Sequence, residues 1–189
     1  MNDKPQVSVV TPFLNAEKFI EEAIQSVFRQ THDSWELLLV DDSSTDTSTD
    51  IAWKYANHYP DKVRYLEHEG HKNRGVSASR NLCIRQSRGK YIAFLDSDDV
   101  WLPNKLKEQV TILESRPQAA MVCGVSQYWY SWTGIPDDLK HDYVCDLGIQ
   151  PDTLFEPPTL LNLLLENAGT PPPSDLLIRL DAIERVGGF

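Results

Sequence analysis

Asp96-Ser97-Asp98-Asp99 puts three carboxylates within four residues directly after an apolar run. Side chains alternate along a strand, so spacing of this kind lets one carboxylate face a ligand and the next face an ion. Carboxylates packed so closely repel one another unless a cation neutralises them. Hard oxygen ligands suit Mg²⁺ or Mn²⁺, ions that fill their remaining positions with water and substrate phosphates. Asp99, ahead of Val100-Trp101-Leu102-Pro103, has the place of a cap for the next helix. A second acidic stretch, Asp41-Asp42-Ser43-Ser44-Thr45-Asp46, offers Asp42 as an acceptor for a nucleobase N–H or ribose hydroxyls. The role of Asp41 stays open, and Ser44, Thr45 or Asp46 suits a helix N-cap. In Asn73-Arg74-Gly75-Val76-Ser77-Ala78-Ser79-Arg80-Asn81, Gly75 lies at a loop-to-helix junction. A glycine there lets the backbone approach a ligand, and a helix start favours anions. Arg80 follows over one turn into that helix. Thr11-Pro12-Phe13-Leu14-Asn15 is the fourth polar interruption, in which Phe13 is either plain packing or a wall against a base.

These clusters need strands to carry them. Val7 to Thr11 reads as a buried strand ending at Pro12, and Asn15 as the cap of a helix. Ile20, Ala23, Ile24, Val27 and Phe28 keep one helical face. Trp35–Val40 is a second strand, followed by a helix ending near His58-Tyr59-Pro60. Val63–Leu66 is a third strand. Val76–Ser87 is a helix closed by Gly89 as a left-handed cap, and Tyr91–Leu95 a fourth strand. Leu102, Leu106, Val110 and Leu113 mark a further helix, and Ala119–Val125 a fifth strand. Alternation of this kind makes parallel strands with right-handed crossovers, covered on both faces. Ligands bind such sheets beyond the carboxyl ends of the strands, where the polar clusters fall. After Val125 the pattern loosens: Gln127–Trp132 is aromatic and strand-like, Thr159–Glu166 a short helix, Asp175–Arg179 a strand and Leu180–Val186 a helix. That texture suits a mobile acceptor-side segment.

At 189 residues, 41% hydrophobic and 24% charged, the chain has the size and balance of one globular domain. A net charge of -10 argues against nucleic acid as a partner. An acidic chain can still hold a diphosphate if a divalent cation bridges the two. Cys83, Cys123 and Cys145 lack metal-ligand spacing and read as free thiols of a reducing compartment. No apolar run reaches the roughly 20 residues of a membrane helix, and the amino terminus has no signal-peptide core. A cytoplasmic chain is expected, one that visits the inner face of a membrane at most.

Taken in order, the four stretches resemble glycosyltransferase family 2, the inverting enzymes of GT-A fold. Thr11, Pro12 and Asn15 match its Thr-Pro-x-x-Asn stretch, and Val40 to Asp46 its Val-Asp-Asp-x-Ser-x-Asp element, with Ser43 where Gly or Asn is common. Asn73, Gly75, Ser77, Arg80 and Asn81 match Asn-x-Gly-x-Ser-x-x-Arg-Asn; Asp96, Asp98 and Asp99 match the Asp-x-Asp signature. The likeness covers residues 7 to about 110 strongly and 111–189 loosely. It implies an α/β GT-A fold, with a mostly parallel Rossmann-like sheet and helices on both faces. Residues 1–125 would form the nucleotide-sugar-binding half and 126–189 the start of an acceptor-side half. Thr11, Pro12 and Phe13 would line the base pocket and Asp42 accept from the base. Asn73, Gly75 and Arg80 would complete the cradle. Asp96 would contact ribose or sugar hydroxyls, and Asp98 would ligate Mn²⁺ or Mg²⁺. The donor would be a nucleotide-diphospho-sugar, UDP-sugar by default, and the acceptor a saccharide or lipid-linked hydroxyl in polysaccharide or glycoconjugate synthesis.

Inverting transfer also needs a base, which this family often carries in an acidic pair beyond a Gly-Gly-Phe element. Here the sequence runs to Gly187-Gly188-Phe189, so the resemblance places the base beyond Phe189 and a truncated chain is expected. Asp175 is the acceptor-side carboxylate within reach of the sequence. Two rivals are a sugar nucleotidyltransferase, which would carry a Gly-rich basic loop after the first strand where Thr11–Asn15 has none, and a non-catalytic sugar-nucleotide-binding domain.

Overall fold

The fold is built outward from β1 (Val7–Phe13), buried along its whole length. The computed structural model describes residues 4–166 and 171–189; the signal-free reading of the amino terminus falls partly on residues 1–3, outside that range. β1 continues past the proline at which the sequence ends it. Val10 O accepts from Leu95 N at 3.0 Å and Gln6 O from Tyr91 N at 3.0 Å, so even-numbered residues turn their main chain toward β4 (Tyr91–Phe94). β4 pairs with β1 only as far as Val10. Pro12 lies beyond that pairing, and its missing N–H costs no ladder bond.

α1 (Ile20–Phe28) follows, burying Ile20, Ala23, Ile24 and Val27. Asn15 does not cap it. Its backbone is left-handed (φ 51°), and its Oδ1 instead accepts from Thr45 N at 2.8 Å across the loop. β2 (Trp35–Asp41) lies beside β1 with Val7 opposite Trp35, and Leu37, Leu38 and Leu39 are fully buried, each contributing about 1.5–3 kcal/mol. α2 (Ser48–His58), β3 (Val63–Glu67) and α3 (Val76–Gln86) complete the first half. Gly89 is no left-handed cap: α3 ends at Ser87 in extended backbone, and a Cβ at Gly89 would sit 2.6 Å from Ser8 N. The glycine is there for space. α4 (Lys105–Ser115) buries Leu106, Val110 and Leu113. Leu102, grouped with them from the sequence, precedes the helix and is 79% exposed. Asp99 does not cap α4 either, because the helix begins at Lys105 with Asn104 at its boundary.

β5 shrinks from the expected seven residues to Met121–Val122, because its partner β8 (Leu177–Arg179) offers two register positions. The strand order is β3-β2-β1-β4-β8-β5. The first four strands are parallel, and β8 runs antiparallel between β4 and β5. α6 (Leu180–Val186) follows β8. This is the mostly parallel α/β sheet of a GT-A fold, with one inserted reverse strand. The chain steps outward from β1 to β2 and β3, then returns to β1's other side with β4. The crevice beyond the carboxyl ends of β1 and β4 is therefore the switch point where such sheets take ligands.

At the opposite, amino end of β2, Glu36 is buried among hydrogen bonds. Its Oε1 accepts from Ser8 Oγ at 2.6 Å and Arg88 N at 2.7 Å. Its Oε2 accepts from Arg88 Nε at 2.8 Å and faces Arg64 Nη1 at 3.4 Å.

The chain separates into two compact units, residues 1–122 with 177–189, and residues 123–176. The strand and helix of 177–189, grouped by sequence with the loose half, belong to the first unit. In the second unit β6 (Gln127–Tyr128) pairs with β7 (Tyr143–Val144), and the Tyr128 and Tyr143 rings stack at 4.8 Å. The aromatic run expected as a strand to Trp132 turns at Tyr130 into a 3-10 turn, where Asp142 Oδ2 accepts from Ser131 Oγ at 2.6 Å. α5 (Thr159–Glu166) forms where expected. Among the described residues no helix is long and apolar enough to cross a membrane. All three cysteines are free, and burial pushes the Cys83 thiol far up, leaving it inert.

Candidate functional site

The turn after β2 separates its two adjacent aspartates by role. Asp41 is fully buried. Its Oδ1 accepts from Ser44 N at 2.7 Å, and its Oδ2 from Thr49 Oγ1 at 2.5 Å with Tyr65 Oη 3.3 Å away. Asp41, left open by the sequence, holds the turn and the first turn of α2. Burial, the Glu67 hydrogen bond and the Asp41 charge together push the Tyr65 hydroxyl far up. Between the turn's polar groups, Ser43 adopts φ 78°, a left-handed backbone that explains why Gly or Asn is common there. The N-cap of α2 is Thr47, none of the three residues expected there; Asp46, just before it, accepts from Ser48 N at 3.0 Å through Oδ1.

Asp42 points the other way. Its own N–H donates to Phe13 O at 2.9 Å, extending the β1–β2 ladder. Its carboxylate accepts from Arg74 N at 2.7 Å and Gly75 N at 2.9 Å. Gly75 has φ 84°, and a Cβ there would meet nothing within 4 Å. The glycine is required by conformation, and the space beside it is open. From Gly75 the chain enters α3, whose Arg80 is 8% exposed and places Nη2 2.7 Å from Asp96 Oδ1.

The four clusters are thus tied in series. Asn15 bonds Thr45, and Asp42 bonds Arg74 and Gly75. One turn further along α3, Arg80 bonds Asp96. All lie at the carboxyl ends of the strands. His68 and His71 add to the clasp without having been singled out in the sequence, where only their place in a polar loop pointed to them. His68 Nε2 is 2.9 Å from Ser79 Oγ and 3.7 Å from Asp42 Oδ1. His71 lies 3.2 Å from both Ser44 O and Glu67 Oε2. The Ser44 carbonyl, then the Glu67 and Asp41 carboxylates, raise its pKa above the ordinary histidine value. An open groove of about 370 Å³ flanks this loop, lined by His68, Glu69, Arg74, Ala78, Asn81 and Arg85.

What this architecture leaves unpaired defines what it can bind. Thr11 Oγ1, on β1, and Arg80 Nε are buried with no hydrogen-bond partner among the described residues. Asp98 is exposed and forms no hydrogen bond or ion pair among them. Asn73 is likewise exposed and unbonded. Pro12 lies within β1 opposite Val40, one residue before the strand ends. Phe13 is 3% exposed, so packing is the reading of the two that this conformation supports. No group of three or more His, Cys, Asp or Glu side chains able to hold a metal occurs among the described residues. Asp98, exposed two residues after Asp96, remains a carboxylate that could serve a hard cation otherwise held by phosphate and water ligands. Asp175, in the second unit, accepts from Ser126 Oγ at 2.7 Å.

Residues 8–186 match the sequence pattern of Glycosyl transferase family 2. The chain belongs to this family. It is 40% identical over 127 residues to TuaG of Bacillus subtilis, which carries the name of a teichuronic acid biosynthesis glycosyltransferase; the match covers 66% of this chain and 48% of TuaG. It is 38% identical over 107 residues to WfgD of Escherichia coli, named as a UDP-Glc:alpha-D-GlcNAc-diphosphoundecaprenol beta-1,3-glucosyltransferase, covering 57% of this chain and 40% of that protein. The chain spans about half the length of such relatives or less. Among solved structures, Staphylococcus aureus TarS 1-349 in complex with UDP superposes with TM-score 0.57 at 28% identity, over 66% of this chain and 39% of that one. The mannosyltransferase PcManGT from Pyrobaculum calidifontis, in complex with GDP-Man and Mn²⁺, matches 99% of this chain and 48% of its own with TM-score 0.66; at 20% identity it shows the fold alone.

Proposed function

We propose that the switch-point crevice binds a nucleotide-diphospho-sugar, UDP-sugar by default, for inverting transfer to a saccharide or lipid-linked acceptor in cell-surface polysaccharide synthesis. The observation that carries this reading is the hydrogen-bonded series from Asp42 through Gly75 and Arg80 to Asp96, ending beside the unpartnered Asp98. The names of the relatives support it: TarS is bound to UDP in one structure and to UDP-GlcNAc in another, and WfgD is named for a UDP-Glc donor.

In this reading Thr11, with its free Oγ1, and Pro12 border the base, while the buried Phe13 serves packing. Asp42 keeps the 73–75 loop against the end of β1 and lies beside the base, where a carboxylate oxygen already bonded once can still accept again. Asn73 presents its exposed side chain to the nucleotide, and Gly75, with open space where a Cβ would stand, lets it come close to the backbone. Arg80 fixes Asp96 toward ribose or sugar hydroxyls. Asp98 would hold Mn²⁺ or Mg²⁺. Such an ion stabilises the growing negative charge on a diphosphate leaving group more in the transition state than in the ground state.

The test is calorimetric titration of the chain with UDP, GDP and dTDP, each with Mn²⁺, with Mg²⁺ and with EDTA. Metal-dependent binding, tightest for UDP, is expected. Absence of binding by all three nucleotides in the presence of metal would overturn the proposal.

A further inference from the structure

Arg80 is the pivot of the series, yet α3 alone does not hold its guanidinium. Two aromatic rings do. The guanidinium carbon lies 5.8 Å from the Phe94 ring centroid and 5.5 Å from that of Phe189, and the two rings meet edge to face at 5.1 Å. Phe94 is the last residue of β4, two before Asp96. Phe189 arrives from the far end of the sequence, and its place is set by the neighbour of Arg80. Asn81 Nδ2 donates to Phe189 O at 2.8 Å, while Phe189 N donates to Asn81 Oδ1 at 2.9 Å. That two-bond ring requires the turn before it. Gly187 closes α6 at φ 86°, and Gly188 continues at φ 88°. A Cβ on Gly188 would fall 2.4 Å from Asn81 Oδ1.

We infer that Gly188, Phe189 and Asn81 form a clamp that positions Arg80, so that the Gly-Gly-Phe element sets the geometry of the donor site. This rests on the proposed nucleotide-sugar reading of that site. Phe189 turns its ring to the guanidinium as well as to Phe94, and a desolvated guanidinium gains from the ring quadrupole and loses its freedom to swing. Held against the two rings, Arg80 keeps Nη2 on Asp96 Oδ1; released, it no longer fixes that carboxylate oxygen toward the donor.

The test uses UDP with Mn²⁺ as the calorimetric probe and thermal melting as the fold control. Phe189→Leu fills similar space without the π face and is expected to weaken UDP binding about three- to tenfold, with the melting temperature held. Phe189→Tyr restores the ring and the wild-type affinity. In an Arg80→Gln background, Phe189→Leu has no further effect, as required of a residue acting through Arg80. Unchanged UDP affinity in Phe189→Leu, a loss that Tyr does not restore, or additive losses in the double variant would overturn the clamp while leaving the donor site standing. Failure of the wild-type chain to bind any nucleoside diphosphate would overturn the donor reading and the clamp with it.

Discussion

The two ends of β2 treat an acidic side chain in opposite ways. At the amino end, Glu36 is buried with both oxygens engaged by Ser8, Arg88 and Arg64, which binds β1, β3 and the α3–β4 turn into one network. At the carboxyl end the polar groups are only partly spent: Asp41 and Asp42 tie loops together, but Thr11 Oγ1 and Arg80 Nε have no partner among the described residues and Asp98 stands exposed. A buried polar atom left unpaired costs about 1–3 kcal/mol. One end of the sheet is arranged for stability, and the other retains that cost in the place where a ligand would relieve it.

Removing Glu36 should therefore have the largest effect on stability and the smallest on binding. Glu36→Ala leaves Arg88 and Arg64 without their carboxylate and is expected to lower unfolding free energy by about 3 kcal/mol in urea titration. UDP affinity of the folded fraction should stay near wild type, and a parallel loss of affinity would break the contrast. Asp42→Asn leaves one of two backbone N–H groups unpaired and should cost about 1–3 kcal/mol. Because the 73–75 loop goes with it, UDP affinity should fall too, marking Asp42 as the point where both purposes meet. Asp98→Ala is the mirror image of Glu36→Ala. Metal-dependent UDP affinity should drop by more than about tenfold, while stability moves by no more than about 0.5 kcal/mol. Ser43→Gly relieves a left-handed backbone and should stabilise by up to about 1 kcal/mol, read from the urea midpoint.

The smallest effect is one of pH. His71 has its pKa raised, chiefly by the Ser44 carbonyl. The protonated form is the one the folded clasp favours, so its contribution is complete below the unfolded value of about 6.5 and is lost as pH rises through the higher folded value. NMR titration of the His71 ring should give a midpoint above 6.5, and Glu67→Gln should lower it. An unshifted midpoint would remove His71 from the clasp.

Much of the carboxyl edge could be read from the chain because its signals are local. Val40 to Asp46 and Leu95 to Asp99 show an apolar run meeting acids and small polar residues, which marks a strand end without reference to anything distant. The periodicity of Ile20 to Val27 placed α1 for the same reason. Local signals misled where a residue's partner lay elsewhere: Asn15 was spent on Thr45 instead of α1, Gly89 made room for Ser8 instead of turning left-handed, and Leu102 kept helical spacing outside the helix. Glu36 could have been noticed as a lone charge in Trp35-Glu36-Leu37-Leu38-Leu39-Val40, but nothing nearby named Arg88 as its partner.

By itself the sequence determined the strand–helix alternation, the four polar strand ends and the family, because hydrophobic period and turn chemistry act over a few residues. Only the tertiary structure decided that β8 enters antiparallel between β4 and β5, that Asp41 and Asp42 tie down different loops, and that Phe189 closes on Asn81 and Arg80. Each of those outcomes depends on which distant surface a side chain meets once the core has packed. Spacing along the chain carries no record of that choice.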